Sequence, residues 1–207
     1  QPDDDALGLF RALLAEHHVL ILRGHRAPTD DELSAFARRF GPLFDGGEIF
    51  RVGAASREIL EVSNVPDGNG HEKGVAGSAM LPWHTDYSYL AVAARETFLD
   101  AVILPPSGGG DTSFCNLYDA YATLPEATRT AIEHLDAFHE LRVSDQFLDA
   151  DEHRDVWAAR ARRNPDLVYP GARVPVRHPV VKRHPDTGRP ALYVGSFVSG
   201  FVDRRTE

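Results

Sequence analysis

The stretch "VRHPVVKRHPDTGRPALYV", residues 176–194, decides the fold class. Two runs rich in valine, leucine and tyrosine, residues 176–183 and 191–194, flank Pro185-Asp186-Thr187-Gly188. Proline presets one turn dihedral, the aspartate side chain can bond the backbone just after it, and glycine accepts positive φ. The spacing therefore predicts a β-hairpin.

The same punctuation recurs upstream. Residues 98–104 form an apolar run cut off by Pro105-Pro106-Ser107-Gly108-Gly109-Gly110, and residues 111–114 resume in strand-like fashion. Residues 58–63 alternate well enough for a strand, and the short apolar run 19–22 reads as a buried one. Helical spacing appears at Leu7, Phe10, Leu13 and Leu14, then after the capping box Thr29-x-x-Glu32, where Leu33, Phe36, Ala37 and Phe40 share a face before Gly41-Pro42. Leu117, Ala120, Tyr121 and Leu124 mark another helix, and Pro125-Glu126 opens a further one, expected to run through Ile132 and Leu135. Short strands with helices at the start and middle predict a mainly β fold, a sandwich or jelly roll with helical buttresses. Gly108-Gly109-Gly110 precedes a strand-like segment and not a helix, which argues against a phosphate cradle.

Composition narrows the function classes. A chain of 207 residues can bury one sizeable core. Its net charge of -9 argues against a nucleic-acid or anionic-membrane surface, both of which need clustered lysine and arginine. The arginines of residues 154–163 are interrupted by apolar and acidic residues and read as a solvated helix face. A single cysteine, Cys115, excludes an intrachain disulfide and a multi-cysteine metal site, and fits a reducing compartment. With no apolar run near the roughly 18 residues of a membrane span, and an acidic start unlike a signal peptide, a cytoplasmic protein is expected. Homo-oligomerisation is left open.

The candidate chemistry lies in "LPWHTDYSYL", residues 81–90. Composition alone predicts roughly one His-x-Asp in such a chain, and three occur: His84-Thr85-Asp86, His134-Leu135-Asp136 and His184-Pro185-Asp186. On a helix, residues two apart point about 200° away from each other, which removes His134 and Asp136 if that segment is helical. His184 and Asp186 straddle the hairpin turn. His84 and Asp86, in extended chain, would face the same side and could bite one divalent cation. The competing reading is a polar strand whose histidine is hydrogen-bonded to a nearby carboxylate. Trp83 reads as a packing residue.

Four blocks in order, "HHVLILRGHRAPTDDELSAFARRFGPL" (17–43), "WHTDYSY" (83–89), "GGDTSFCNLYDAYATLP" (109–125) and "HPVVKRHPDTGRPALYVGSF" (178–197), resemble the taurine dioxygenase and 2,4-dichlorophenoxyacetate dioxygenase family of iron(II)/2-oxoglutarate-dependent oxygenases. The resemblance implies a double-stranded β-helix, cupin-like, with iron(II) held by His84, Asp86 and a distal histidine. It further implies 2-oxoglutarate and dioxygen as cosubstrates, and oxidation of a small polar or acidic molecule with release of succinate and CO2. Thr112 matches the position whose hydroxyl helps hold a 2-oxoglutarate carboxylate. Phe197 resembles a position lining the substrate pocket and Asn64 is placed to reach the same cavity, although core and turn roles serve them equally well. Residues 64–79 are expected to form a lid.

The distal histidine and the arginine that pairs with the far carboxylate of 2-oxoglutarate have no matching position. His178 and His184 belong to the hairpin block and are not recruited as ligands. Residues 1–207 are accordingly expected to be one oxygenase domain, incomplete at both ends. The alternatives are a non-catalytic small-molecule-binding relative with a degenerate metal site, and a zinc hydrolase, which leaves the flanking blocks unexplained.

Overall fold

The computed structural model describes residues 3–44, 58–66, 68, 81–140 and 175–206. Helix α1 (Asp4–His17) starts where the Asp3 carboxylate accepts from Ala6 N–H at 2.9 Å, satisfying one orphan donor of the first turn. It stops at His18, whose φ of 66° turns its N–H onto the Leu14 carbonyl. Helix α2 (Asp30–Ala37) carries the full predicted capping box, Thr29 and Glu32 exchanging backbone bonds, with Arg26 held on the Glu32 carboxylate. That ion pair and the Thr29 backbone N–H pull the Glu32 carboxyl down to about 2. Phe10 of α1 stands edge-to-face on Phe36 of α2 at 5.8 Å, Phe36 stands edge-to-face on Phe98 at 5.6 Å, and Phe40 lies tilted against Phe98 at 5.0 Å.

Helix α3 (Leu117–Ala122) is capped by Asn116, and α4 (Glu126–Ile132) follows Pro125 at its N-cap. The chain then becomes sheet. Strand β1 (Leu135–His139) is central in a three-stranded antiparallel sheet between β2 (Val176–Pro179) and β5 (Val198–Asp203). Strands β3 (Val181–Arg183) and β4 (Pro190–Leu192) form the hairpin the sequence predicts, in register Val181 to Leu192, with Gly188 supplying φ 66° at its turn. The expected single strand 176–183 is split at Val180. There the N–H donates to Leu135 O at 3.0 Å and the carbonyl accepts from Tyr193 N–H at 2.8 Å, so one buried residue links the three-stranded sheet to the hairpin.

Side-chain alternation gives the larger sheet two distinct faces. Ala137 and His139 of β1, with His178 opposite Ala137, lie on one face and are almost wholly buried. Asp136 occupies the other, where β2 and the chain after β5 bring Arg177 and Arg204 to its carboxylate, each at 2.6 Å.

Several expectations are corrected. The fourth helix ends at Ile132 and does not reach Leu135, because β1 instead satisfies its backbone on two neighbouring strands. Residues 19–22, 98–104 and 111–114 are not strands: no ladder pairs them among the described residues. Ile21, Leu99, Val102, Ile103, Leu104 and Phe114 stand exposed, at 66 to 78 %. An apolar run becomes a strand only where a partner supplies the ladder. In residues 58–63 only Val62 makes an isolated bridge. Residues 154–163, and all of the expected lid except Asn64, Val65, Pro66 and Gly68, lie outside the described residues.

Candidate metal and cosubstrate site

The His84-Thr85-Asp86 segment is not a strand. Residues 86–89 form consecutive turns, with Ser88 N–H on Thr85 O at 3.2 Å and Leu90 N–H on Tyr87 O at 2.9 Å. Tyr87 takes a left-handed φ of 56°, unusual for a bulky side chain and supported by a ring contact with Phe44 at 4.3 Å. The expected i, i+2 convergence is reached by this turn: His84 Nε2 lies 3.3 Å from Asp86 Oδ1.

Each partner is oriented from behind. The ring atom His84 Nδ1 lies 2.8 Å from the Pro82 carbonyl, which can only accept, so Nδ1 carries the proton. In the neutral imidazole the lone pair is then on Nε2, aimed at the carboxylate. Thr97 Oγ1 donates to Asp86 Oδ2 at 3.1 Å, leaving Oδ1 to face the imidazole. Two lone-pair atoms at 3.3 Å repel unless a cation lies on or between them. When the imidazole is protonated it donates to the Asp86 carboxylate, which raises the His84 pKa and lowers that of Asp86, the two sides of one interaction that favours positive charge between them.

A divalent metal satisfies that demand as well as a proton does. Ligand atoms each about 2.1 Å from an ion can be 3.3 Å apart when they occupy neighbouring coordination positions. The donor set of one imidazole nitrogen and one carboxylate oxygen, with the second imidazole nitrogen bound to a carbonyl, fits a first-row metal. Among the described residues no group of three His, Cys, Asp or Glu side chains is placed to hold an ion.

The other two pairs are engaged elsewhere. His134 faces Asp203 at 3.6 Å, and Asp136 is taken by its two arginines. Asp136 sits on a strand, so the helical reason for dismissing that pair does not apply; the arginines are the reason. In the hairpin turn, Asp186 pairs with Arg95 at 2.5 Å and its N–H points to His184 Nδ1 at 3.3 Å.

Of the predicted site residues, Phe197 is brought to the pair. Its ring stands edge-on to His84 at 5.7 Å and to Tyr89 at 4.9 Å, and its carbonyl accepts from Glu140 N–H at 2.9 Å. Thr112 is exposed in the irregular segment before α3 and Asn64 is exposed in the chain after Val62; neither hydrogen-bonds to the pair. Trp83, expected to pack, is 63 % exposed and contributes its carbonyl, which accepts from Ser196 N–H at 2.9 Å. That bond brings Gly195 so close that an added Cβ would sit 3.1 Å from Trp83 O and 3.2 Å from His84 Cα. Thr97, Gly195 and Ser196 were missed from sequence, since nothing local marks a contact across 11 or about 110 residues.

The taurine catabolism dioxygenase TauD, TfdA family matches residues 1–207. Pentalenolactone F synthase of Streptomyces avermitilis is 37 % identical over 191 residues, covering 92 % of this chain and 62 % of that protein. The alpha-ketoglutarate-dependent 2,4-dichlorophenoxyacetate dioxygenase of Cupriavidus pinatubonensis is 37 % identical over 196 residues, covering 90 % and 63 %. The chain thus spans about three fifths of the length of these curated relatives. Among solved structures, a taurine dioxygenase from Burkholderia xenovorans superposes with a TM-score of 0.64 at 22 % identity, covering 100 % of this chain and 61 % of that one. AAD-2 in complex with Mn(II) and N-oxalylglycine gives 0.64 at 23 %, covering 97 % and 66 %. At such identities these two matches establish a shared fold.

Proposed function

The chain belongs to the taurine catabolism dioxygenase TauD, TfdA family, and from that premise we propose that it is the greater part of an iron(II)/2-oxoglutarate-dependent dioxygenase domain of jelly-roll type. Its substrate is a small polar or acidic molecule with an unactivated C–H bond, which it hydroxylates. The observation that carries the proposal is the His84 Nε2 to Asp86 Oδ1 separation of 3.3 Å, with Nδ1 turned onto the Pro82 carbonyl.

In this reading His84 and Asp86 hold the metal, and a distal histidine with no matching position in residues 1–207 completes the set. Iron(II) bound there supplies the redox chemistry by which dioxygen, 2-oxoglutarate and substrate become hydroxylated substrate, succinate and CO2. The protein's residues do the positioning. Thr97 fixes the second carboxylate oxygen, so Asp86 presents one defined atom. Thr112 donates its hydroxyl to a 2-oxoglutarate carboxylate, and an arginine with no matching position in residues 1–207 pairs with the far one. Phe197, already edge-on to His84, forms an apolar wall that keeps water from the reacting carbon, and Asn64 gives the substrate a polar contact. The single exposed Cys115 suits a reducing compartment, and among the described residues no helix is long and apolar enough to cross a membrane. A cytoplasmic placement is part of this proposal.

Support for the cosubstrate comes from relatives whose names state dependence on alpha-ketoglutarate, and from a neighbour of the same fold whose complex holds Mn(II) and N-oxalylglycine. The test is oxygen-dependent succinate release by the full-length protein with iron(II), 2-oxoglutarate and a panel of small acids. Thr112→Val should raise the KM for 2-oxoglutarate, and Phe197→Ala should raise succinate release uncoupled from product. A folded, iron-loaded protein that releases no succinate with any acid would favour the non-catalytic binding relative instead.

A further inference from the structure

Two buried histidines outside the ligand pair have no part in the chemistry above. His139 and His178 share the inner face of the three-stranded sheet, on β1 and β2, and are 2 % and 6 % exposed. Their rings meet edge-to-face at 5.3 Å, and both contact the Tyr193 ring at about 5.5 Å. Each reaches out of the sheet to the segment carrying Asp86. His139 Nδ1 lies 3.1 Å from Ser88 Oγ, itself 2 % exposed. His178 Nε2 lies 2.9 Å from the Leu90 carbonyl, which requires the proton on Nε2.

These two bonds fall where the turn most needs them. Residues 85–90 are secured internally by two turn bonds, and Tyr87 is held at φ 56°, a conformation that costs about 1 kcal/mol or more for a non-glycine residue. Such a segment keeps one conformation only when its surroundings over-determine it. The anchors grip residues 88 and 90, immediately after Asp86 and the strained Tyr87. We propose that His139 and His178 are positioning residues, locking the turn of residues 85–90 to the sheet so that Asp86 Oδ1 is held in register with His84 Nε2.

The inference rests on the reading of His84 and Asp86 as metal ligands. Burial, reinforced by the charge of nearby Lys182, keeps both imidazoles uncharged at neutral pH, with His139 pushed down to about 4 and His178 also lowered. Two neutral imidazoles anchor the turn without setting a second positive charge beside a bound cation. The uncharged state also suits His139 Nε2, which is buried without a hydrogen-bond partner among the described residues.

The experiment uses the full-length protein with Co(II) as the probe, reading affinity and the ligand-field spectrum together with melting of the metal-free protein. His139→Leu, His178→Leu and Ser88→Ala remove the anchors. His139→Asn returns an amide near the Nδ1 position, and His178→Gln returns one near Nε2. Loss of an outer-sphere partner is expected to weaken Co(II) binding about 10- to 100-fold and to shift the spectrum, whereas the amide variants should stay within about 3-fold of wild type.

Overturning results are distinct. Ser88→Ala binding Co(II) with wild-type affinity and spectrum would refute the anchor role, as would amide variants that lose as much affinity as the leucine variants, which would leave the histidines as core packing. If the leucine variants fail to fold, Ser88→Ala and the amide pair decide. Wild-type protein that binds no Co(II), or His84→Ala that binds as tightly as wild type, would instead sink the metal-site reading beneath the proposal.

Discussion

Asp136→Ala is expected to cost about 2–3 kcal/mol, and the figure can be worked from the sheet. Asp136 pairs with Pro179 on one side and Val202 on the other, so Arg177 and Arg204 are its two diagonal neighbours on the same face. Its carboxylate, 9 % exposed, accepts from Arg177 Nε and an Arg204 guanidinium nitrogen at 2.6 Å each, and thereby ties β1 to β2 and to the chain leaving β5. A hydrogen bond to a charged group contributes about 1.5–3 kcal/mol when well desolvated. The arginine side chains are 35 % and 39 % exposed, so solvent screening brings each bond to roughly 1–1.5 kcal/mol. Equilibrium urea unfolding would read the loss as a lower midpoint at unchanged slope, and thermal melting as a drop of about 5–10 °C for a domain of this size. In a double-mutant cycle, Asp136→Ala with Arg177→Ala should return about 1 kcal/mol of coupling. A loss below about 0.5 kcal/mol, or no coupling, would show that the cluster is a surface ion pair of ordinary weakness and not a tie across the sheet.

Three further outcomes are expected. The buried His139 titrates near 4 when folded against 6.5 in the free residue, so as pH falls the unfolded chain takes up the proton first; stability should decline between about pH 6.5 and 4, by up to about 3 kcal/mol, and flatten below. Urea midpoints at pH 7 and 5 for wild type and His139→Leu check this, the variant losing the steeper fall above pH 5. Gly195→Val places side-chain atoms against Trp83 O and His84 Cα, and isothermal titration with Mn(II) should show affinity reduced about tenfold or more, with a melting temperature lowered by an overpacking cost of about 1–3 kcal/mol. Thr97→Val frees Asp86 Oδ2, and the same titration should show a loss of about tenfold; unchanged affinity would mean that Asp86 is oriented without it.

What could be read from sequence was local. The capping box Thr29-x-x-Glu32 and the turn at residues 185–188 are spelled within a few residues, and both form. The apolar spacing running from α4 into Leu135 was misread as one helix, since a buried strand and a helical face both supply leucine and phenylalanine there. The runs 19–22 and 98–104 carry strand composition, but a ladder needs a partner, and none pairs with them among the described residues. Three His-x-Asp pairs make the pattern weak by itself, and His84 and Asp86 are singled out by an extended context and by the family-like block around them; the turn that in fact joins them, with Tyr87 at positive φ, has no signature in "HTDYSY". The anchors were invisible for a plainer reason: Ser88 meets His139 across 51 residues, Leu90 meets His178 across 88, and Asp136 meets Arg204 across 68.

A metal held by His84 and Asp86 that also binds 2-oxoglutarate would carry an optical signature. The most direct test is an anaerobic titration of the full-length protein with iron(II) and 2-oxoglutarate, followed by visible absorption. A weak metal-to-ligand charge-transfer band that saturates with 2-oxoglutarate and vanishes in His84→Ala and Asp86→Ala is the predicted result. A folded, iron-loaded protein that shows no band, or a band that survives both substitutions, would mean that these two residues do not hold a 2-oxoglutarate-binding metal.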